Sequence, residues 1–107
     1  MDLDGWRKRI DAVDLKLVEL LNRRSRYALE IGKIKARLDL PVYTPSREVE
    51  VLNNVVIANE GPLNDQAIRR LFERIIDEAR LLEREYIENR RQKMGSRPEA
   101  SKKGPGR

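Results

Sequence analysis

The sequence contains no cysteine and no histidine, and these two absences exclude several kinds of chemistry. Without these residues the chain cannot form a Cys/His zinc site, a thiol nucleophile or a Ser-His-Asp triad. It also lacks any apolar run of about 18 residues and any apolar segment near its N-terminus, so neither a transmembrane helix nor a signal peptide is predicted. We therefore expect a cytoplasmic protein.

Aromatic residues are also scarce, with one Phe, one Trp and three Tyr, whereas 38% of the residues are charged. A chain of 107 residues predicts one domain. A domain of this size with so few large apolar side chains would be marginally stable alone. The composition therefore favours an oligomer.

The net charge of +5 is concentrated at the C-terminal end. Residues 91–107 hold six Lys or Arg and one Glu, whereas residues 1–90 hold 17 basic and 17 acidic side chains. The terminal segment is rich in Gly, Pro, Ser and Lys, so we predict a disordered basic tail over 91–107 after a helical domain over 1–90. The tail has either no role beyond solubility or a weak electrostatic one. The neutral domain is not a basic DNA binder.

Two sets of helix-breaking residues divide the domain. In "LDLPVYTPS", Thr44 and Pro45 form an N-cap and a first-turn proline, and in "NEGPLN" a Gly-Pro pair ends one helix before an Asn that can cap the next. No segment alternates like a strand. The pattern predicts an all-α chain with helices over residues 4–38, 45–59 and 64–89.

The first predicted helix carries two cations on its apolar side. One heptad position is apolar except at Arg24, its members being Ile10, Leu17, Arg24, Ile31 and Leu38. Arg24, Ala28, Ile31 and Lys35 lie within a stripe about 60° wide at 100° per residue. Arg24 alone fits a snorkelling arginine or a register-setting polar residue of a coiled coil. A second inward cation at Lys35 indicates a ligand site, because an unpaired buried charge is costly.

The other two helices place carboxylates on their apolar sides. In the third helix, Glu83 continues the stripe of Phe72, Ile76 and Ala79, and in the second Glu48 shares a face with Val51. Taken singly, Glu48 fits a first-turn acid that the helix dipole favours, and Glu83 fits a solvated helix end. Together with the two cations they predict a polar pocket for a small anionic ligand that carries hydroxyl groups.

Four segments of the chain resemble the all-helical (AroQ-class) chorismate mutases. In chain order they are "WRKRIDAVDLKLVELLNRRSRYALEIGKIKA", "PVYTPSREVEVL", "NEGPL" and "IRRLFERIIDEARLLE", and together they run from Trp6 to about Glu83. The resemblance implies a helical enzyme that converts chorismate to prephenate, a Claisen rearrangement in phenylalanine and tyrosine biosynthesis. It implies no cofactor, no metal and no covalent intermediate.

The resemblance also implies roles for the charged residues. Arg7, Arg24 and Arg47 would bind substrate carboxylates. Lys35 would contact a carboxylate and the ether oxygen whose bond breaks. Two acids complete the implied site, Glu48 holding the ring hydroxyl and Glu83 donating a hydrogen bond, when protonated, to the same ether oxygen.

The uncharged positions both match and depart from the family pattern. Ile31, Val51 and Ile76 match apolar walls of the substrate pocket. Ala79 stands where Ser or Thr is frequent, so one side-chain contact to a carboxylate is missing. Thr44 stands where some members have Asp, so a contact there would use the backbone.

The spacing of the implied site residues bears on assembly. Arg7 and Lys35 are 28 residues apart on one predicted helix, which is about 42 Å of axial rise. They cannot contact the same small ligand from one chain. If both belong to the site, as the resemblance implies, Arg7 must reach the pocket of a partner, as in the intertwined, domain-swapped homodimer of the family.

Two alternatives stay open at this point. An isochorismate pyruvate lyase has a related fold, although the full "PVYTPSRE" and "NEGPL" pattern favours the mutase. A non-catalytic helical dimer could bind an anion or nucleic acid. The neutral domain and the absence of aromatic residues interleaved with basic ones count against nucleic acid, and the predicted partners are chorismate and a second copy of the chain, without a membrane.

Overall fold

The computed structural model describes residues 1–96 and the side chains of residues 1–93. Three helices account for most of this part of the chain: α1 (Leu3–Leu38), α2 (Pro45–Ala58) and α3 (Asp65–Ser96). No strand occurs among the described residues. The predicted all-α class and the order of one long helix followed by two others are confirmed.

Each helix starts after a residue of a type that is favoured at N-caps. Asp2 caps α1 by accepting a hydrogen bond from the Gly5 amide at 2.8 Å. Asn64 does the same for the Ala67 amide at the start of α3, again at 2.8 Å. Thr44 occupies the N-cap of α2 ahead of Pro45, but its side chain makes no capping hydrogen bond. All three starts lie within one residue of the predicted positions.

The end of α1 sets the direction of the loop over residues 39–44. Asp39 adopts a left-handed conformation with φ of 56°, and the amide of Leu40 donates to the Lys35 carbonyl at 2.8 Å. This C-terminal hydrogen bond satisfies a helix-end carbonyl and reverses the chain. The loop consequently returns past Lys35 before α2 begins.

The third helix ends later than its sequence predicts. It continues from residue 89 to Ser96, so residues 91–96, which composition assigns to the tail, are helical. The charged residues here are good helix formers, and Arg91 lies 3.8 Å from Glu88 one turn earlier. Between Pro62 and Pro98 the sequence contains no proline that would end the helix. The predicted disorder of residues 97–107 lies outside the described part of the chain.

Helix α3 packs against both α1 and α2 and so joins the three helices. The buried residues at its contact with α1 are Ala28, Gly32, Ile76 and Glu83. Gly32 allows the closest approach, because a Cβ atom built on it would lie 3.2 Å from the Glu83 Cγ. The two helices therefore meet where the sequence places the inward cation of α1 and the inward acid of α3.

The N-terminal half of α1 extends away from this contact. Its apolar residues remain about half exposed or more, with values of 54% for Trp6, 59% for Ile10, 58% for Val13 and 50% for Leu17. The described chain is accordingly elongated, at 63 × 35 × 17 Å. The apolar side of the N-terminal half of α1, about 27 Å of helix, is thus left uncovered by its own chain.

Within residues 1–96, none of the helices combines the length and the apolar content that crossing a membrane requires.

Candidate active site

A cavity of about 490 Å³ lies between the C-terminal half of α1, the first turns of α2 and the middle of α3. Ten of the eleven residues predicted for the site line it, and Arg7 is the exception. The ten are Arg24, Ile31, Lys35, Thr44, Arg47, Glu48, Val51, Ile76, Ala79 and Glu83. Residues that share helical stripes in the sequence therefore converge on one space, and their predicted chemical roles remain predictions.

Lys35 and Glu83 form a partly buried ion pair at one end of the cavity. The Lys35 Nζ atom lies 3.2 Å from the Glu83 Oε1 atom, and the two side chains are 17% and 10% exposed. The same ammonium donates a hydrogen bond to the Val42 carbonyl at 2.9 Å. An ammonium has three N–H donors, so one remains for a ligand that enters the cavity.

The close contact of α1 and α3 makes this pair possible. Gly32 is one helical turn before Lys35, and its missing side chain leaves room for the Glu83 methylene groups. The loop after α1 supplies Val42 because Asp39 reverses the chain there. Both partners of Lys35 are thus positioned by local backbone features.

The two arginines predicted to bind carboxylates differ in their surroundings. Arg24 is half-buried, and within residues 1–96 it makes no hydrogen bond or ion pair. Arg47 donates to Glu50 on the same helix, with both side chains more than half exposed. An exposed pair of this kind contributes little to stability, so it is easily exchanged for a ligand anion. Both guanidinium groups are therefore available to a ligand.

Glu48 has an arginine partner that the sequence interpretation did not include. Arg80 lines the cavity, and its Nη1 atom lies 3.2 Å from the Glu48 Oε2 atom. The same guanidinium lies over the Tyr43 ring, 4.9 Å from its centroid. Helical spacing was a usable signal for Arg80, since it follows Ile76 by four residues and precedes Glu83 by three.

Two other lining residues were also missed. Tyr27 stands one residue before the small Ala28 of the α1 stripe, and Val42 lies in the loop. Tyr27 follows Arg24 by three residues, a spacing that places both on one side of a helix. No sequence pattern indicated Val42, because its position depends on how the chain reverses after α1.

The uncharged residues that line the cavity include both those that match the family pattern and the two that depart from it. Ile76 is buried, and with Ile31 and Val51 it gives the cavity apolar surface. Ala79 offers no polar atom from its side chain. The Thr44 hydroxyl is not used as a helix cap, although the residue lines the cavity.

Charge decides what kind of ligand this cavity fits. Its lining includes four cationic and two acidic side chains, which are Arg24, Lys35, Arg47, Arg80, Glu48 and Glu83. The excess of positive charge suits a small molecule with more than one negative charge. The acids are each held by a cation, at 3.2 Å in both pairs.

Arg7 does not approach the cavity of its own chain. It lies in the second turn of α1, and Arg24 is the first residue of that helix to line the cavity. The 17 residues between them correspond to about 26 Å of helix. A contact between Arg7 and this cavity within one chain is excluded.

Comparisons with known proteins agree with the geometry. The sequence profile of the chorismate mutase type II family matches residues 6–84. A bifunctional chorismate mutase/prephenate dehydratase of Neisseria gonorrhoeae is 40% identical over 78 residues, which are 73% of this chain and 21% of that protein. The chain thus spans about a fifth of the length of this relative.

Shorter relatives are covered almost completely. A chorismate mutase of Methanocaldococcus jannaschii is 26% identical over 88 residues, which are 81% of this chain and 89% of that protein. A solved structure of chorismate mutase from Thermus thermophilus, form II, is 38% identical with a TM-score of 0.75. The match covers 77% of this chain and 93% of that one. The chain belongs to the chorismate mutase type II family.

Proposed function

We propose that this chain is a chorismate mutase that rearranges chorismate to prephenate without a cofactor. The observation that carries the proposal is the convergence of Arg24, Lys35 and Arg47 on one cavity that also holds Glu48 and Glu83. Chorismate is a small dianion with a ring hydroxyl and an ether oxygen. Each of these groups has a side chain of suitable chemistry in the cavity.

The reaction is unimolecular, so the protein needs no nucleophile. The substrate must fold into a compact, chair-like shape in which one bond forms while the ether bond breaks. The cations around the cavity supply this orientation, and Lys35, which Val42 and Glu83 hold before the ligand arrives, needs little reorganisation during the reaction. Arg24 has no partner among the described residues, so the substrate completes its pairing.

Lys35 and Glu83 are proposed to act on the ether oxygen, which gains negative charge in the transition state. Lys35 is held by Val42 and Glu83 and keeps one donor for the substrate. Glu83 can donate to the ether oxygen only in its protonated form. Its contact with Lys35 at 3.2 Å places both groups at the same end of the cavity.

The other residues are proposed to hold the substrate. Arg24 and Arg47 bind its carboxylates, and Glu48 accepts a hydrogen bond from the ring hydroxyl. Thr44 contributes through its backbone. Ile31, Val51 and Ile76 form the apolar walls of the site. Ala79 stands where the family frequently has Ser or Thr, and its side chain makes no polar contact.

The proposed enzyme is an intertwined homodimer in which the Arg7 of one chain completes the cavity of the other. Two observations support it: the uncovered apolar side of the N-terminal half of α1 and the distance of Arg7 from its own cavity. A two-fold dimer would cover that side and create two equal sites. The proposal places the enzyme in the cytoplasm.

Product identification tests the proposed function. Purified protein is incubated without added cofactor, once with chorismate and once with isochorismate, and the products are separated by chromatography. We expect prephenate from chorismate and no pyruvate from isochorismate. Pyruvate from isochorismate without prephenate formation would indicate the lyase, and no turnover of either substrate would contradict an enzymatic role.

A further inference from the structure

Arg80 is the one cation of the cavity that the proposed reaction leaves without a role. It projects from α3 between Ile76 and Glu83 and contacts two other parts of the chain. Its side chain is 23% exposed, so it is more enclosed than Arg47, whose side chain is 63% exposed. Two roles would connect such an arginine to a ligand, direct binding of the ligand or positioning of a group that binds it.

The charges around Arg80 argue against direct binding of a ligand anion. One guanidinium nitrogen pairs with Glu48, and the other pairs with Asp77 one turn earlier on α3. Two carboxylates therefore compensate a single positive charge. Arg24, by contrast, makes no ion pair within residues 1–96 and is free to attract an anion.

The geometry around Glu48 indicates what Arg80 does instead. Glu48 lies in the first turn of α2, and its flexible side chain could take several rotamers. Arg80 engages its Oε2 atom at 3.2 Å, whereas within the described residues the Oε1 atom makes no hydrogen bond. One carboxylate oxygen is thus fixed and the other is left to accept a hydrogen bond from a ligand.

Tyr43 fixes the guanidinium in turn. The centroid of its ring is 4.9 Å from the Arg80 Cζ atom, a distance at which a cation and an aromatic face attract each other. The preceding residue, Val42, accepts the hydrogen bond of Lys35. Two successive residues of the loop therefore contact Lys35 and Arg80.

We propose that Arg80 is a positioning residue that orients the Glu48 carboxylate towards the hydroxyl group of the substrate. This inference rests on the proposed function and adds a residue to it. The guanidinium shape suits the role, because one group bridges Glu48 and Asp77 while its Cζ atom lies over the Tyr43 ring. A lysine ammonium can pair with Glu48 but cannot contact Glu48, Asp77 and the Tyr43 ring at the same time.

A double-mutant cycle between Arg80→Met and Glu48→Gln tests the proposal. Methionine keeps the length and helix preference of the side chain but removes its charge. We expect Arg80→Met to lower kcat/KM by about tenfold to a hundredfold, the usual range for a hydrogen bond to a charged group. Because Arg80 acts through Glu48, the double variant should match Glu48→Gln within about twofold.

Arg74→Met is the matched control. Arg74 is on the same helix and also pairs with an acid, Glu78, but its side chain is 77% exposed and it does not line the cavity. We expect kcat/KM of this variant to stay within about twofold of the wild type. Losses from Arg80→Met and Glu48→Gln that multiply in the double variant would contradict the proposal, as would an unchanged Arg80→Met.

Two further measurements distinguish a failure of this proposal from a variant that does not fold and from a failure of the proposed function. If Arg80→Met does not fold by circular dichroism, Arg80→Lys is placed in the same cycle, with the same expected non-additivity. Crystal structures of the wild type and the Arg80 variant give a readout that needs no activity. A Glu48 carboxylate that keeps its position without Arg80 would overturn the proposal, whereas an inactive wild type would overturn only the mutase assignment.

Discussion

The two halves of α1 belong to one continuous helix but have different surroundings. In the C-terminal half, Ala28 and Gly32 are buried against α3, and Lys35 is held by partners from the same chain. In the N-terminal half, Trp6 and Val13 remain more than half exposed. A continuous apolar pattern thus has a packing partner in the described chain along only half its length. In the proposed dimer, a second copy of the chain would cover the exposed apolar side of the first half.

The polar residues of the two halves show the same division. Arg24 and Lys35 line the cavity, whereas Arg7 is too far away to reach it. The proposed dimer accounts for both halves at once, because the surface that would cover the apolar residues would also bring Arg7 to a cavity. Substitutions in either half of α1, or in Glu83, which packs against the C-terminal half, test this division.

Lys35→Ala should give the largest effect, because it removes a cation from the C-terminal half at the point of developing charge. We expect kcat/KM to fall by at least about 10² to 10³. Steady-state kinetics with circular dichroism as the folding control measures this loss. A folded variant with more than a tenth of wild-type efficiency would remove Lys35 from the proposed mechanism.

Val13→Glu alters the N-terminal half alone. A carboxylate in the proposed interface would be buried without a partner, so the dimer should dissociate at micromolar concentration. Because each cavity would lose Arg7 of the other chain, kcat/KM should drop by about a hundredfold. Sedimentation velocity gives the oligomeric state.

Leu15→Glu is the control for this change. Leu15 is 75% exposed and lies on the opposite side of α1 from Val13. The Leu15→Glu substitution should leave both the dimer and kcat/KM unchanged. Equal behaviour of the two variants would contradict an interface on the Val13 side.

Glu83→Gln and Glu83→Ala test whether the side chain at position 83 acts as a hydrogen-bond donor in the reaction. An amide is a permanent donor of similar shape, so Glu83→Gln should keep kcat/KM within about tenfold of the wild type. Glu83→Ala lacks the donor, so its kcat/KM should fall by about a hundredfold. Parallel kinetics of the two variants at one pH measures the difference, and equal losses would argue against hydrogen-bond donation at this position.

Gly32→Ala should give a smaller effect than the loss of the Glu83 side chain. The added Cβ atom would lie 3.2 Å from the Glu83 Cγ, so Glu83 must move by a few tenths of an ångström. We expect about a tenfold loss of kcat/KM from the displaced Lys35–Glu83 pair, because catalytic geometry tolerates little error. Thermal stability should change little, since alanine favours the helix and offsets the tighter packing. An unchanged kcat/KM would show that the close approach is not needed.

The sequence predicted the helices well because their boundaries have local causes. Asp2, Thr44 and Asn64 mark the helix starts, and the Pro and Gly segments mark the two interruptions. The end of α3 was misplaced because the polar composition of residues 91–96 was taken to indicate disorder, although neither Gly nor Pro occurs between residue 89 and Gly95. Charge makes a segment polar, but Glu, Lys and Arg favour a helix.

Helical spacing in the sequence predicted those site residues that share one face of a helix. Arg24, Lys35 and Glu83 were found because a charged residue on an apolar stripe is visible in the sequence. Arg80 was missed because its role depends on partners in another helix and a loop, Glu48 and Tyr43. The path of that loop depends on the reversal after α1, which spacing does not encode.

Mixing two inactive variants tests the shared site most directly. Arg7→Ala and Arg24→Ala should each be nearly inactive as homodimers. When the two are mixed under conditions that allow subunit exchange, each heterodimer regains one intact cavity and one with both lesions. Half of the dimers are then mixed and half of their sites are intact, so activity should recover to about a quarter of the wild-type value. Native mass spectrometry confirms that heterodimers have formed, and heterodimers that stay inactive would contradict the claim that Arg7 completes the site of its partner.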